Sequence, residues 1–411
     1  MGILGLASQR PLKTGVPPEK RLSKEAVTTI VIHGFFQLGA SMSGTFLTLY
    51  LWRLTEDLFV NGLYALISYL IGPIAFAVAG RYAKTRDRLF TYRLGIALTA
   101  LFYLFVIAAG TRVVDYFYLF ALMGGTAGAF YWLGYLTLTY DVSTDGNRIR
   151  YLGLNSIVFN LAGLIGPAVS GWIITMSGGG LEGYTTVFIV AFLMFVVTTL
   201  GSFRLRAMGS HHKAYYLNLM PLVFRKDAAF RHCLIGWLFL GAYQAILMLL
   251  PNILLYQAFK QEAAVGYAGV VLLGLTIATS YLLSRRGKEA LAKRYCLSAA
   301  AAFSAGSAVL VCFGVQTWSV LVFVVLYYAC VPLLINSFSA YHYRLVGQLP
   351  LKGNLRVETV VARETFINGG RVIGLLALIL LSDDLNSPMV PLVLFGAALL
   401  QFNFAWIIKK R

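Results

Sequence analysis

Long apolar runs separated by short polar stretches fill this chain of 411 residues. A membrane-spanning helix needs about 20 mostly apolar residues. Twelve such stretches follow one another, at approximately 25–51, 58–80, 89–111, 114–139, 151–176, 184–203, 233–257, 264–284, 295–316, 317–343, 358–382 and 388–408. Short period-2 segments are absent, which argues against a β-barrel. The pattern predicts an all-α membrane protein with twelve transmembrane helices. The opening MGILGLASQRPLKTGVPPEKRLSKE has too short an apolar run for a cleaved signal peptide and reads as a basic tail, residues 1–24.

Composition agrees: 59% of residues are hydrophobic and 12% charged, against roughly 25% charged in soluble domains. The net charge of +18 matters through its placement. Basic residues gather in the N-terminal tail, in RYAKTRDR (81–88), in 204–231, in RRGKEALAKR (285–294) and in the final KKR, while the alternate loops are acidic or nearly neutral. Arg53, Arg112 and Lys260 alone fall on the other side, and Arg371 lies within a span. Positive loops mark the cytoplasmic side, so both termini are expected there, and nucleic-acid binding is a poor reading of the charge. The four cysteines lie in or beside spans of the second half without metal-ligand spacing, and read as small buried apolar residues.

Three segments repeat in chain order at nearly one offset. HGFFQLGA (33–40) resembles IGWLFLGA (235–242), RYAK (81–84) resembles RRGK (285–288), and 147–166 matches 355–374, pairing Arg148 with Arg356, Asn160 with Asn368 and Gly166 with Gly374. Two pseudo-symmetric six-helix bundles follow: residues 1–203, a cytoplasmic linker 204–232, and residues 233–411. Parallel repeats of this kind occur in transporters that bind substrate at mid-membrane between the halves.

Here the chain resembles the major facilitator superfamily over nearly its whole length, most closely its bacterial exporters. Between spans two and three that family carries a Gly-x-x-x-Asp-Arg-x-Gly-Arg-like signature; this chain has GRYAKTRDR, with Gly80, Arg81 and Arg88 in place and Lys84 where an acidic residue is usual. Asp87 offers itself as the substitute carboxylate. In the fifth span, GLNSIVFNLAGLIGPAVSG places Gly153, Ala162, Gly166, Pro167, Ser170 and Gly171 on the exporter pattern of small residues around a Gly-Pro pair. Small residues let helices approach closely and Pro167 removes a backbone bond, so this helix is expected to form a rocking contact between the halves. The resemblance implies that spans one, four, seven and ten line the cavity, making His33, Gln37, Gln244, Asn252, Asn336 and His342 candidate lining residues.

Polar residues inside spans carry the chemistry. Glu364, Asn368 and Arg371 follow i, i+4, i+7, one face of a helix. A charge at the bilayer centre costs roughly 2.5–3.5 kcal/mol, so Arg371 should face a wet cavity or a partner. Two uses stay open: a substrate clamp at Arg371 with Glu364 as the proton-coupling carboxylate, or a structural latch. Arg363 reads as a snorkelling interfacial charge. His33 is a second candidate for proton coupling, with Gln37 one turn away. Tyr131, Trp132 and Tyr135 suggest an aromatic wall. The loop DVSTDGNRIR supplies Asp141, Asp145, Arg148 and Arg150 to a charge network at the cytoplasmic gate.

No GxxxxGK[ST] motif supports direct ATP drive, and no nucleophile–base pair suggests an enzyme. The expected function is proton-coupled export of a small amphipathic or anionic molecule by alternating access. Uptake of an organic anion or nutrient, and lipid flipping on the same fold, are the alternatives. The expected partners are a lipid bilayer (a bacterial plasma membrane), a small-molecule substrate and protons, with the chain a monomer that needs no cofactor or metal.

Overall fold

The computed structural model describes residues 21–55, 58–177, 180–205, 214–259, 262–349, 355–381 and 389–408. The basic tail 1–20, the loop 382–388, Lys260, the final KKR and the Asn252 side chain lie outside the described residues.

Each apolar run becomes a helix, because in hydrocarbon the backbone must satisfy its own hydrogen bonds. The first half holds α1 (Lys24–Thr55), α2 (Leu58–Thr85), α3 (Arg88–Ala109), α4 (Phe117–Val142), α5 (Arg148–Met176) and α6 (Leu181–Ser202). A short helix, α7 (Met220–Lys226), leads into α8 (Ala228–Phe259), α9 (Glu262–Arg286), α10 (Ala292–Phe313), α11 (Thr317–Gln348) and α12 (Arg356–Leu381). The chain ends with α13 (Met389–Leu399), continued through a 3₁₀ turn into α14 (Phe404–Ile407). Eleven described segments are long and apolar enough to cross a membrane; α12, at 26 residues, completes the set of twelve rods.

The halves pack alike. In the first, α1 lies against α5 and α3 against α4; in the second, α8 lies against α12 and α10 against α11. Each half has its own core, around Tyr92, Tyr131 and Phe195 in the first and around Trp237, Phe303 and Phe338 in the second. The repeat shows in the turns too: α3 and α10 end at Gly110 (φ 54°) and Gly314 (φ 71°), 204 residues apart, where a left-handed backbone favours glycine. Outward faces stay apolar, with Ile74, Trp172, Leu200 and Trp406 among the most exposed large side chains, as lipid contact requires. The halves meet along α2 with α12 and along α5 with α9.

The fifth-span residues do something other than expected. Gly166 admits Ser41 and Met42 of α1, and a Cβ there would come within 2.0 Å of Ser41 Oγ. The Ser41 hydroxyl donates to the Ala162 carbonyl (2.7 Å), and the Ser170 hydroxyl donates to Met42 (3.1 Å). Gly374, the repeat partner of Gly166, receives Ala242 of α8 in the same way. This motif therefore clamps the first helix to the fifth inside one half. Only Gly153 reaches across, to Ser280 and Ser284 of α9. Pro167 sits inside an unbroken α5, and Gly171 has open space beside it.

Gly166→Leu should therefore destabilise the first half by about 1–3 kcal/mol, the usual cost of overpacking. Gly171→Leu should be near neutral. Thermal unfolding of the two variants in detergent checks this, and equal midpoints would contradict the clamp.

Candidate functional site

Two layers of polar side chains lie along the seam between the halves. The first is at the end where the basic loops converge. Lys84, at the last turn of α2, lies 3.2 Å from Glu358 in the first turn of α12, with both side chains buried. Glu358 also accepts the Tyr216 backbone N–H at 2.9 Å. Lys84 thus takes a partner from the opposite half, and Asp87 does not supply the missing acid: it stands before α3 without a capping bond. Gly80 is required here, since a Cβ would strike the Tyr215 hydroxyl at 2.6 Å and Val361 at 3.0 Å.

One turn of chain away, Asp141 at the end of α4 bridges Arg88 of its own half and Arg356 of the other, the latter at 2.7 Å. Tyr140 and Tyr343 meet across the seam with ring centroids 5.7 Å apart. Arg356 lies over Tyr140 (4.3 Å) and Arg148 over both rings (5.0 and 5.7 Å). The Tyr343 hydroxyl donates to the Leu136 carbonyl at 3.2 Å. Asp145 pairs with Arg148 within its own loop and stays largely exposed, and Arg81 is exposed outside the network. The network closes the seam at its basic end.

Above this layer lies a cavity of about 450 Å³. The first half contributes Trp132, Asn155, Ser156, Phe159 and Asn160; the second contributes Gln244, Tyr327, Tyr328, Asn336, Arg363, Glu364 and Arg371. Arg371 stands 15 residues into α12, about 22 Å along its axis. Its guanidinium donates to Asn368 (3.1 Å) and Gln244 (3.3 Å) and lies 5.6 Å from the Tyr69 ring centroid. Asn368 is buried behind it and donates to the Glu364 carbonyl. The Glu364 carboxylate faces Arg363 at 3.7 Å. Glu364 and Arg371 therefore share a cavity wall but hold different partners.

The remaining expected lining residues are packed away. His33 is fully buried, bonded through Nδ1 to the Tyr131 hydroxyl (2.5 Å) and stacked on Tyr135 (3.8 Å). Gln37, Tyr131 and Tyr135 are buried in the same region, so of the expected aromatic wall only Trp132 faces the cavity. Tyr135 reaches it indirectly, donating to Asn155. His342 is buried beside Cys233, with Nδ1 3.5 Å from Sγ. Arg363 is no interfacial charge: it is 9% exposed, lies 3.9 Å over the Trp237 ring and lines the cavity. The polar residues of α5 were the signal missed in the sequence, since Asn155, Ser156 and Asn160 sit among the small residues of its packing motif.

The fold is shared with solved transporters. It is similar to the crystal structure of the human organic anion transporter MFSD10 (TM-score 0.73, 15% identity, covering 94% of this chain and 99% of that one). It is also similar to a bacterial homologue of the iron transporter ferroportin in an outward-facing state (TM-score 0.75, 14% identity, 94% and 99%). At these identities the likeness concerns the fold alone. A curated relative, the uncharacterized protein YqgE of Bacillus subtilis (strain 168), is 28% identical over 379 residues, 90% of this chain and 86% of its own length. The family model of the Major Facilitator Superfamily matches residues 29–350. A twelve-rod bundle in two like halves, a polar cavity on their seam and this match make the chain a multi-pass membrane protein of the major facilitator superfamily, a family of secondary transporters rather than enzymes.

Proposed function

We propose that the protein moves a small amphipathic anion across a bacterial plasma membrane by alternating access, coupled to protons. The observation that carries this reading is the placement of Arg371, a cation deep in the bundle that faces a seam cavity. Positive loops favour the cytoplasmic side, and on that reading the closed end of the seam is cytoplasmic and the conformation outward-facing. The bacterial relative supports the choice of membrane. Proton coupling is placed at Glu364, which borders the cavity, rather than at His33, which is sealed behind Tyr135.

The fifth-span motif resembles that of exporters. In this chain those residues hold α5 to α1 within one half, a contact that serves either direction of transport. Direction therefore rests on how substrate and proton influence each other's binding.

The ionic layer would be the bistable element. It holds while the cytoplasmic side is closed and parts when the halves rock, its charges then passing into water.

Two outcomes test this reading. In proteoliposomes offered a panel of organic anions, Arg371→Ala should lower transport at least tenfold while Arg371→Lys retains part of it, with normal insertion of both; full activity in the alanine variant would retire the clamp. At the latch, a lone buried charge costs about 3–5 kcal/mol. Lys84→Glu alone should therefore favour the inward-open state, exposing a cysteine placed at Val360 to a water-soluble maleimide in inside-out vesicles. The swap Lys84→Glu with Glu358→Lys should restore protection; a swap as reactive as the single variant would refute the latch.

A further inference from the structure

The second-half wall of the cavity carries two cationic points on one helix. Arg371 holds Asn368 and Gln244, yet its Nε is buried without a partner. Arg363, eight residues nearer the closed end, lies on Trp237 and also has an unpartnered buried Nε. Asn336, 5% exposed, lines the same space with an unpartnered Nδ2. Eight residues of helix separate the two arginines by about 12 Å. Buried polar atoms ordinarily find partners. The orphans in this cavity's wall named here are all N–H donors, and a donor surplus calls for a ligand that brings acceptors to both ends. The lining also holds aromatic and apolar side chains, among them Phe159, Tyr327 and Ile335.

The charged lining is two arginines and one carboxylate, so the wall's charge is +1 with Glu364 ionised and +2 with it protonated. Glu364 Oε1 lies 3.7 Å from Arg363 Nη1, where it occupies the place a second anionic group of the ligand would take.

Resting on the transporter reading above, we propose that the cavity binds an elongated organic dianion, one end at Arg371 and Gln244 and the other at Arg363 and Asn336, and that Glu364 gains one proton as the second end displaces it. The proton comes from water at the cavity mouth and resides on the Glu364 carboxylate. No bond of the ligand is made or broken. The sign of the linkage follows directly. Protonating Glu364 frees Arg363 for the ligand, and the ligand at Arg363 deprives the carboxylate of its cation, so each favours the other's binding. A substrate and proton that bind together travel together, which under an inward proton gradient means uptake. Antiport needs the opposite sign, in which each expels the other.

The titratable and charged groups around the Arg363–Glu364 pair are Arg371 on the same helix, His342 and Tyr343 on α11, and Cys233 on α8. Tyr327 and Tyr328 of α11 line the same cavity, Tyr69 of α2 lies beside Arg371, and the lining residues of α4, α5 and α9 do not titrate. Of these, His342 is the one imidazole, so its variant serves as the control.

Binding of α,ω-dicarboxylates from succinate to sebacate, with monocarboxylates of equal length, to the purified full chain in nanodiscs tests the proposal. Isothermal titration would cover about pH 5.5 to 8, corrected for ligand ionisation. A longer diacid should bind about tenfold or more tighter than its monoacid. Its affinity should rise as pH falls, by up to about tenfold per unit for one linked proton. Glu364→Gln should bind the diacid tightly at every pH, His342→Gln should keep the wild-type slope, and Arg363→Gln should reduce the diacid to monoacid affinity. A flat or inverted slope in the wild type, a slope that survives Glu364→Gln or vanishes with His342→Gln, or diacids no better than monoacids, would overturn it. Monoacids that bind through Arg371 without any gain from a second carboxylate would sink this inference and leave the transporter reading standing. Failure of every anion at every pH would sink the anion site itself.

Discussion

A charge inside a bilayer protein must be neutralised by a neighbour or wetted, because hydrocarbon offers it neither. That constraint shapes this molecule. Its buried ionic groups lie where the halves meet: Lys84 with Glu358, Arg88 and Arg356 with Asp141, and Arg363, Glu364 and Arg371 around the cavity. Breaking a buried pair by leaving one charge alone in a dry interior costs about 3–5 kcal/mol. Parting two halves is different, since water enters and solvates both partners. The desolvation saved then offsets much of the attraction lost, and the closed and open seams come within a few kcal/mol of each other. A layer of this kind is firm against mutation of one partner and yielding to a rocking motion.

The layer also carries the imprint of the repeat, with its signs exchanged. In the first half the start of α3 and the end of α4 supply Arg88 and Asp141; in the second half Glu289, in the turn just before α10, and Arg344, near the end of α11, stand 3.5 Å apart. Had the signs been kept, each half would present the same charge to the other. Exchanged, they give each half an acid near an arginine across the seam. Asp141 binds Arg356, while Glu289 lies within electrostatic reach of Arg148. Arg148 and Arg356 are themselves repeat partners, and both lie over Tyr140. A pseudo-twofold gate follows from two copies of one design whose ionic pairs run in opposite directions.

How much of this was legible beforehand depended on whether the feature is local. Spans and halves were, because hydrocarbon thickness fixes run length and a repeated helix order leaves repeated glycines, as at Gly166 and Gly374. That Arg371 faces a cavity or a partner was legible from cost alone, though not which of the two. Facing directions were harder. Tyr131 and Tyr135 are one turn apart and share a face, which packs on His33, while Trp132 points about 100° away, into the cavity. Helical spacing contained that split, and the cluster was read as one wall. Arg363 was misjudged through a boundary: α12 begins at Arg356, so the residue sits about 10 Å inside. The latch partners were not legible at all, since nothing local in GRYAKTRDR points to an acid 274 positions later at Glu358.

The two layers communicate because one helix carries both. Arg356 and Glu358 hold the first turn of α12 in the ionic layer, and Arg363 begins the cavity wall five residues on, about 7.5 Å along the same axis. A helix is stiff over that distance, so the cavity residues cannot shift along α12 without moving its latch end. Asn368 adds a second hold, packed against Gly72 of α2 while it accepts from Arg371. A ligand that draws Arg371 and Arg363 toward itself therefore acts on the same α2–α12 contact that Lys84 and Glu358 close. It biases the latch only to the extent that it binds the two states unequally. The arginines supply that inequality if the first-half wall, with Asn155 and Asn160, completes the ligand's shell in one state and withdraws in the other. On the proposed reading, the separation of charge onto the second half and neutral polar groups onto the first is what would turn a binding site into a step of transport.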